Sequence, residues 1–245
     1  MARPIVLVHG AWHGPWCWDA WAARFRAEGH DVVTVTLPAH DRPGDQRRLW
    51  HSMGSYVRAV GEAVDAAGPD AILLGHSMGG LISQRVAETR RLAGVVLLAS
   101  VPRFGVGPFV GRLSLRAPGR VARVFGTLSL WPMVETEELV RESFYSAAAP
   151  EETVAGTAER LQNESVPATL SMTFRWPRPG RVTSPVLVVS GGLDTIFPLA
   201  GQRRLAAAYD AEHRVMAGSG HNVMMDVERD AAAQHVLDWI GRLGG

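Results

Sequence analysis

Short, continuous apolar runs alternate along the chain with longer stretches in which apolar residues recur every three or four positions. The runs predict strands at 4–8, 31–36, 70–74, 94–99, 185–190 and 212–216. Several are apolar nearly throughout, as in Ile5-Val6-Leu7-Val8 and Val95-Val96-Leu97-Leu98. A strand without polar alternation is buried on both faces, the condition of a parallel sheet covered by helices. Helical patterns lie between the runs, near 16–28, 53–67, 77–89, 200–209 and 227–243. The alternation predicts an α/β fold: a mainly parallel central sheet of about six strands flanked by helices.

One segment interrupts the rhythm. From about 101 to 182 no strand pattern occurs, and Gly and Pro recur. Some 80 residues between two core strands are too many for a structureless loop. The expected organisation is a core of residues 1–100 and 183–245, carrying a mostly helical cap, or lid, at 101–182. The stretch 89–134 holds seven arginines, at positions 90, 91, 103, 112, 116, 120 and 123, and no acidic residue.

Composition narrows the chemistry. All 25 basic residues are arginine, which excludes a Schiff-base lysine, a phosphate-loop lysine and a lysine general base. The single cysteine, Cys17, excludes an internal disulfide, a CxxC pair and a thiolate zinc site. With 24 acidic residues the net charge is +1, so no bulk field points to nucleic acid. No apolar run approaches the roughly 20 residues of a membrane span. An apolar strand beginning at Pro4 leaves no room for a signal-peptide core, and the expectation is a cytoplasmic protein. No metal-ligand spacing or phosphate-binding loop occurs.

Gly75-His76-Ser77-Met78-Gly79 follows the strand Ala71-Ile72-Leu73-Leu74 and opens a helix. A GxSxG pattern in a strand–turn–helix context presents its serine hydroxyl from a strained turn. The glycines two positions either side give the neighbouring strand and helix space that a β-carbon would fill. A bare GxSxG is weak in so glycine-rich a chain; its flanking elements make it a nucleophile candidate, Ser77. A serine hydroxyl needs an imidazole to take its proton. Among nine histidines, His221 lies in Gly218-Ser219-Gly220-His221-Asn222, whose glycines predict a mobile loop after the last strand, able to reach the strand ends. His30, His51, His213 and His235 fit solvated positions better. The carboxylate that orients the imidazole should leave the end of a strand between these two. Asp194, in Gly191-Gly192-Leu193-Asp194, does so, with Asp210 and Asp226 as rivals. Upstream, the first strand runs into His9-Gly10-Ala11-Trp12, where the Ala11 amide can pair with that of Met78 as an oxyanion hole.

Together these features resemble the α/β-hydrolase superfamily over essentially the whole chain apart from the cap. Within it, His9-Gly10-Ala11-Trp12-His13-Gly14-Pro15-Trp16-Cys17-Trp18 is similar to the N-terminal signature of the methylesterase and hydroxynitrile lyase group. The resemblance implies a Ser77–His221–Asp194 triad, no cofactor and hydrolysis of small carboxylic esters. It also implies that the lyase branch would carry a threonine and a lysine where this chain has Gly10 and Asn222, which disfavours cyanohydrin cleavage. Trp12, His13, Phe104, Trp131, Phe197 and Met224 are candidate substrate-pocket residues, for an apolar or aromatic ester.

Three other functions share these motifs. The arginine-rich start of the cap suits an acyl-carrier or acyl-CoA partner, making the protein a thioesterase or acyltransferase, although a solvated basic face is the simpler reading. Lyase or cyclase chemistry uses the same fold, and some proteins of this fold bind ligands without turnover.

Overall fold

The computed structural model describes residues 2–41, 50–174 and 176–243. Six strands form one sheet: β1 (Pro4–Val8), β2 (Asp31–Val35), β3 (Ile72–His76), β4 (Gly94–Leu98), β5 (Val186–Gly191) and β6 (Glu212–Met216). Their spatial order is β2-β1-β3-β4-β5-β6, and all five pairings are parallel. The four central strands are buried almost throughout, whereas the edge strands β2 and β6 alternate exposed and buried positions. Burial on both faces accounts for the missing polar alternation in the central runs.

Successive side chains divide between the two faces. Val6, Val8, Leu73, Val95, Leu97 and Val188 pack on one side, with Ile5, Leu7, Leu74, Val96, Leu98 and Val189 on the other. The first face receives α2 (Met53–Ala67), α3 (Met78–Ala87) and a later helix at Leu199–Ala208. The second receives α1 (Asp19–Ala27) and the C-terminal helix Arg229–Arg242, through Trp21, Phe25, Val236, Trp239 and Ile240. Ser52 caps α2, its hydroxyl accepting the Ser55 N–H at 3.2 Å, and Gly68 at φ 93° ends it.

Between β4 and β5 the chain forms five helices and, among the described residues, no strand: α4 (Gly107–Arg116), α5 (Pro118–Thr127), α6 (Glu137–Phe144), α7 (Glu151–Arg160) and α8 (Val166–Phe174). The helix Leu199–Ala208 is therefore α9, and Arg229–Arg242 is α10. Neither α4 nor α5 has a single buried residue. No helix among the described residues is long and apolar enough to cross a membrane.

The third strand departs from its sequence reading. The apolar run stops at Leu74, but β3 continues through Gly75 and His76, which pair with Leu97 and Leu98. Pairing uses backbone groups and needs no apolar side chain. The strand consequently delivers Ser77 directly at its end.

Candidate active site

Ser77 occupies a conformation that side chains rarely adopt, with φ 54° and ψ −116°. Such geometry costs about 1–3 kcal/mol and persists only where its surroundings over-determine it. Here the Ser77 N–H donates to Leu98 O at 3.0 Å, and its carbonyl accepts from Gly80 and Val101. The flanking glycines are sterically required. A β-carbon on Gly75 would lie 2.3 Å from Gly79 O, and one on Gly79 would lie 2.3 Å from Val8 O. The oxyanion-loop glycine is equally confined, since a β-carbon on Gly10 would stand 2.9 Å from that of Ser77.

Asp194 and His221 meet, with His221 Nδ1 donating to Asp194 Oδ2 at 2.8 Å. The other oxygen, Oδ1, accepts the N–H groups of Ile196 at 2.8 Å and Phe197 at 2.9 Å. Three donors and almost complete burial hold the carboxylate in one orientation. With Nδ1 committed as donor, Nε2 of His221 is left with its lone pair. Close backbone contact assembles the pair: a β-carbon on Gly191 would fall 1.9 Å from Gly220 O, so the ends of β5 and β6 converge at glycines.

The histidine loop is not the mobile segment expected from its glycines. Ser219, His221 and Asn222 are buried. Glu228 accepts from Gly218 N and Ser219 Oγ, and Asn222 N donates to Phe144 O at 2.8 Å. Asp226, a rival for the carboxylate role, accepts from Gly220 N, Ser146 N and Ser146 Oγ. It ties the loop to the start of the α6–α7 connection. Asp210, the other rival, lies at the end of α9 in a left-handed conformation.

A cavity of about 390 Å³ opens from Ser77. Its walls include Ala11, Trp12, Met78 and Phe197, together with apolar side chains of α4, α5 and α8. Among the described residues, the polar ones in the wall are Ser77, Thr169 and Thr173. Trp12 and Phe197 thus lie where a substrate-pocket assignment needs them. The other four candidates do not. His13 is buried beneath the site, its Nδ1 donating to Ala11 O at 2.8 Å and its Nε2 accepting from the Asn222 amide at 3.0 Å. Met224 packs into the core on the opposite face of the sheet. Phe104 is half exposed and meets Trp176 edge-on, and Trp131 begins a short 3-10 turn outside the cavity wall. An aromatic or soft side chain on a loop carries no information on which way that residue faces.

Three histidines around the site are held neutral by burial. Burial, with neighbouring imidazoles adding to it, lowers His9 and His76 well below the ordinary histidine range. Burial likewise lowers His13 to about 4. Hydrogen bonding agrees, because each of His9 and His13 has one ring nitrogen facing a carbonyl and the other facing a donor. His76 donates from Nε2 to the His221 carbonyl at 3.1 Å.

A buried polar node beside the loop after β1 is not marked in the sequence. Glu164 accepts from Tyr56 Oη at 3.0 Å, Ser165 N at 2.6 Å and His40 Nε2 at 3.1 Å. Two residues earlier, Gln162 N donates to Trp12 O at 2.9 Å. The four polar residues are scattered from 40 to 165, so no local motif marks them. The walls contributed by α5 and its C-cap do carry a local signal: Val121, Val124, Phe125 and Leu128 follow a helical i, i+3, i+4, i+7 spacing.

A family model described as "Alpha/beta hydrolase family" matches residues 5–234. Among curated proteins, the chain is 38% identical over 108 residues to a carbendazim hydrolyzing esterase of Nocardioides sp. (strain SG-4G), a match covering 41% of this chain and 43% of that one. It is 30% identical over 183 residues to the probable esterase PIR7A of Oryza sativa subsp. japonica, covering 73% and 66%. These alignments therefore take in less than two thirds of either relative's length. Among solved structures, the methylesterase protein MES16 from Arabidopsis superposes with a TM-score of 0.74 at 19% identity, covering 98% of this chain and 99% of that one, which is a likeness of fold.

Proposed function

The chain belongs to the alpha/beta hydrolase family, and from that premise we propose that it is a serine carboxylic ester hydrolase working through an acyl-enzyme. The observation that carries the proposal is the Asp194–His221 hydrogen bond at 2.8 Å, in a molecule whose strained Ser77 opens into an apolar cavity. Ser77 Oγ attacks the ester carbonyl as His221 Nε2 takes its proton. The backbone amides of Ala11 and Met78 receive the developing oxyanion. The proton passes to the departing alkoxide, and water then repeats the sequence to release the acid. Asp194 fixes the tautomer and stabilises the imidazolium.

The esterase names of the relatives support this reaction class. In this proposal the segment 101–182 acts as a cap, and its helices supply the acyl site. A wall with no charged side chain among the described residues favours an uncharged apolar acyl group over a carboxylate-bearing one. The position after His221 is taken by Asn222, whose amide is engaged with His13, and no lysine exists anywhere to supply a cation there. That supports hydrolysis over the lyase alternative. A cytoplasmic location belongs to the same proposal, supported by a lone cysteine that is buried and unpaired.

Intact-mass analysis after fluorophosphonate treatment tests the nucleophile. One adduct on the wild type, absent from Ser77→Ala, is expected. A folded wild-type protein that takes no adduct overturns the proposal. A panel of p-nitrophenyl esters of increasing acyl length then reads the cavity, with uncharged acyl groups expected to exceed succinyl or glutaryl esters.

A further inference from the structure

We propose that the mouth of the cavity is a docking surface for anionic lipid, from which an apolar ester enters without crossing water. The inference starts from five residues that belong at once to the cavity wall and to the protein surface: Val110, Phe125, Leu128, Leu170 and Phe174. Three of them are strongly exposed, at 66% for Phe125, 73% for Leu128 and 77% for Phe174. Leu115, on α4 but outside the wall, is 87% exposed. Large apolar side chains this exposed, gathered around one opening, call for an apolar partner.

Charge on the same helices indicates which partner. Arg103, Arg112, Arg116, Arg120 and Arg123 lie in or next to α4 and α5, and no acidic residue occurs between 89 and 134. Two of the five are offset from outside: Arg120 pairs with Glu142 and Arg123 with Glu135. The balance remains positive. Amphipathic helices with arginine beside protruding apolar residues fit the interface of an anionic bilayer, which attracts each basic residue and accepts each apolar one. A second copy of the chain fits poorly, because a twofold contact through α4 and α5 would bring like charges together. An acyl-carrier partner would satisfy the arginines but would thread a polar pantetheine arm along a wall that, among the described residues, is apolar but for Ser77, Thr169 and Thr173.

The surface is testable without turnover, so its outcome is separable from that of the esterase proposal. Co-sedimentation of Ser77→Ala with phosphatidylcholine vesicles, with and without phosphatidylglycerol, is expected to show binding that requires the anionic lipid and weakens with salt. The double variant L115Q/R116Q touches neither the triad nor the cavity wall. It should cut partitioning about tenfold or more, from one lost apolar anchor and one lost charge, yet hydrolyse a soluble short-chain ester like the wild type. Equal affinity for neutral and anionic vesicles, or no effect of the double variant, overturns the proposal. So does saturable binding to an acidic acyl-carrier protein without vesicle binding, or a concentration-dependent dimer broken by the same variant.

Discussion

The backbone N–H of Gln162 donates to the carbonyl of Trp12 at 2.9 Å, joining the start of the return path from α7 to the oxyanion loop. Trp12 itself has φ 62°, a conformation that needs support from outside the loop. Two residues on, Glu164 anchors the same path to His40 and Tyr56 with both carboxylate oxygens engaged. The geometry of the loop after β1, which the proposed mechanism uses as its oxyanion loop, therefore depends on a carboxylate more than 150 positions away in the chain.

Removing that anchor should be costly. Glu164→Ala removes the buried acceptor shared by the Ser165 amide, the Tyr56 hydroxyl and the His40 ring, and depriving a buried donor of its acceptor typically costs about 1–3 kcal/mol. A urea titration should show the midpoint falling by a corresponding amount. A change within about 0.5 kcal/mol, the range of an ordinary surface substitution, would show that the node does not hold the fold.

In the proposed mechanism Ser77→Ala and His221→Ala each lower kcat by several orders of magnitude, and the double variant is little worse than either. Additive losses would show that the two residues do not act as a unit. Asp194→Asn is a finer probe. Its oxygen can still accept from Ile196 and Phe197, but its amide would face Nδ1 of His221 and impose the wrong tautomer. A loss of about 10⁴ in kcat with a near-normal unfolding midpoint is expected.

Gly10→Ala tests the spacing of nucleophile and oxyanion loop. The new methyl would stand 2.9 Å from the Ser77 β-carbon and from His76 Nδ1, forcing the loop outward. Misplacing one oxyanion donor costs about 100- to 1,000-fold in kcat. KM for a short ester should change much less, and equal changes in both would argue for a binding role instead.

Stability should depend on pH through His9, His13 and His76. All three are lowered by burial, so the folded protein refuses protons that the unfolded chain binds below about 6.5. Their contribution is fully present above that pH and is lost as pH falls, through about 4 in the case of His13. With three sites the slope approaches about 4 kcal/mol per pH unit where all are protonated only on unfolding. Urea midpoints measured from neutral pH down to about 5 should fall steeply; a flat profile would mean that the three imidazoles charge within the fold.

Much of this site was legible because its parts hang from strand ends. Ser77, Asp194 and the loop of His221 follow β3, β5 and β6, and an apolar run shows where a strand lies without any knowledge of its neighbours. The glycines near Ser77 were legible too, since close approach leaves a mark on the residue itself. What escaped was whatever depends on packing between distant segments. The glycines of the His221 loop suggested motion, but they exist because Gly191, Gly220 and the backbone near Phe144 crowd together. His13 was read as facing substrate, yet it bonds to Ala11 and Asn222 from below. That Phe104 and Trp131 lie outside the cavity wall follows from how α4, α5 and α8 dock, which no local pattern specifies.

The pairing of β4 with β5 has a consequence for how the molecule is made. Val95 and Val186 are register partners, so this pairing closes a longer stretch of chain than any other in the sheet. Closure entropy grows with the length enclosed, and pairings that enclose more chain form later. The nucleophile turn lies wholly within the earlier part, whereas Asp194 and His221 lie beyond the late closure. During synthesis and refolding, a sheet with Ser77 at the end of β3 would therefore precede a reactive one. Recovery of fluorophosphonate labelling would lag behind recovery of amide-exchange protection in β1 and β3, and that interval would time the addition of β5 and β6.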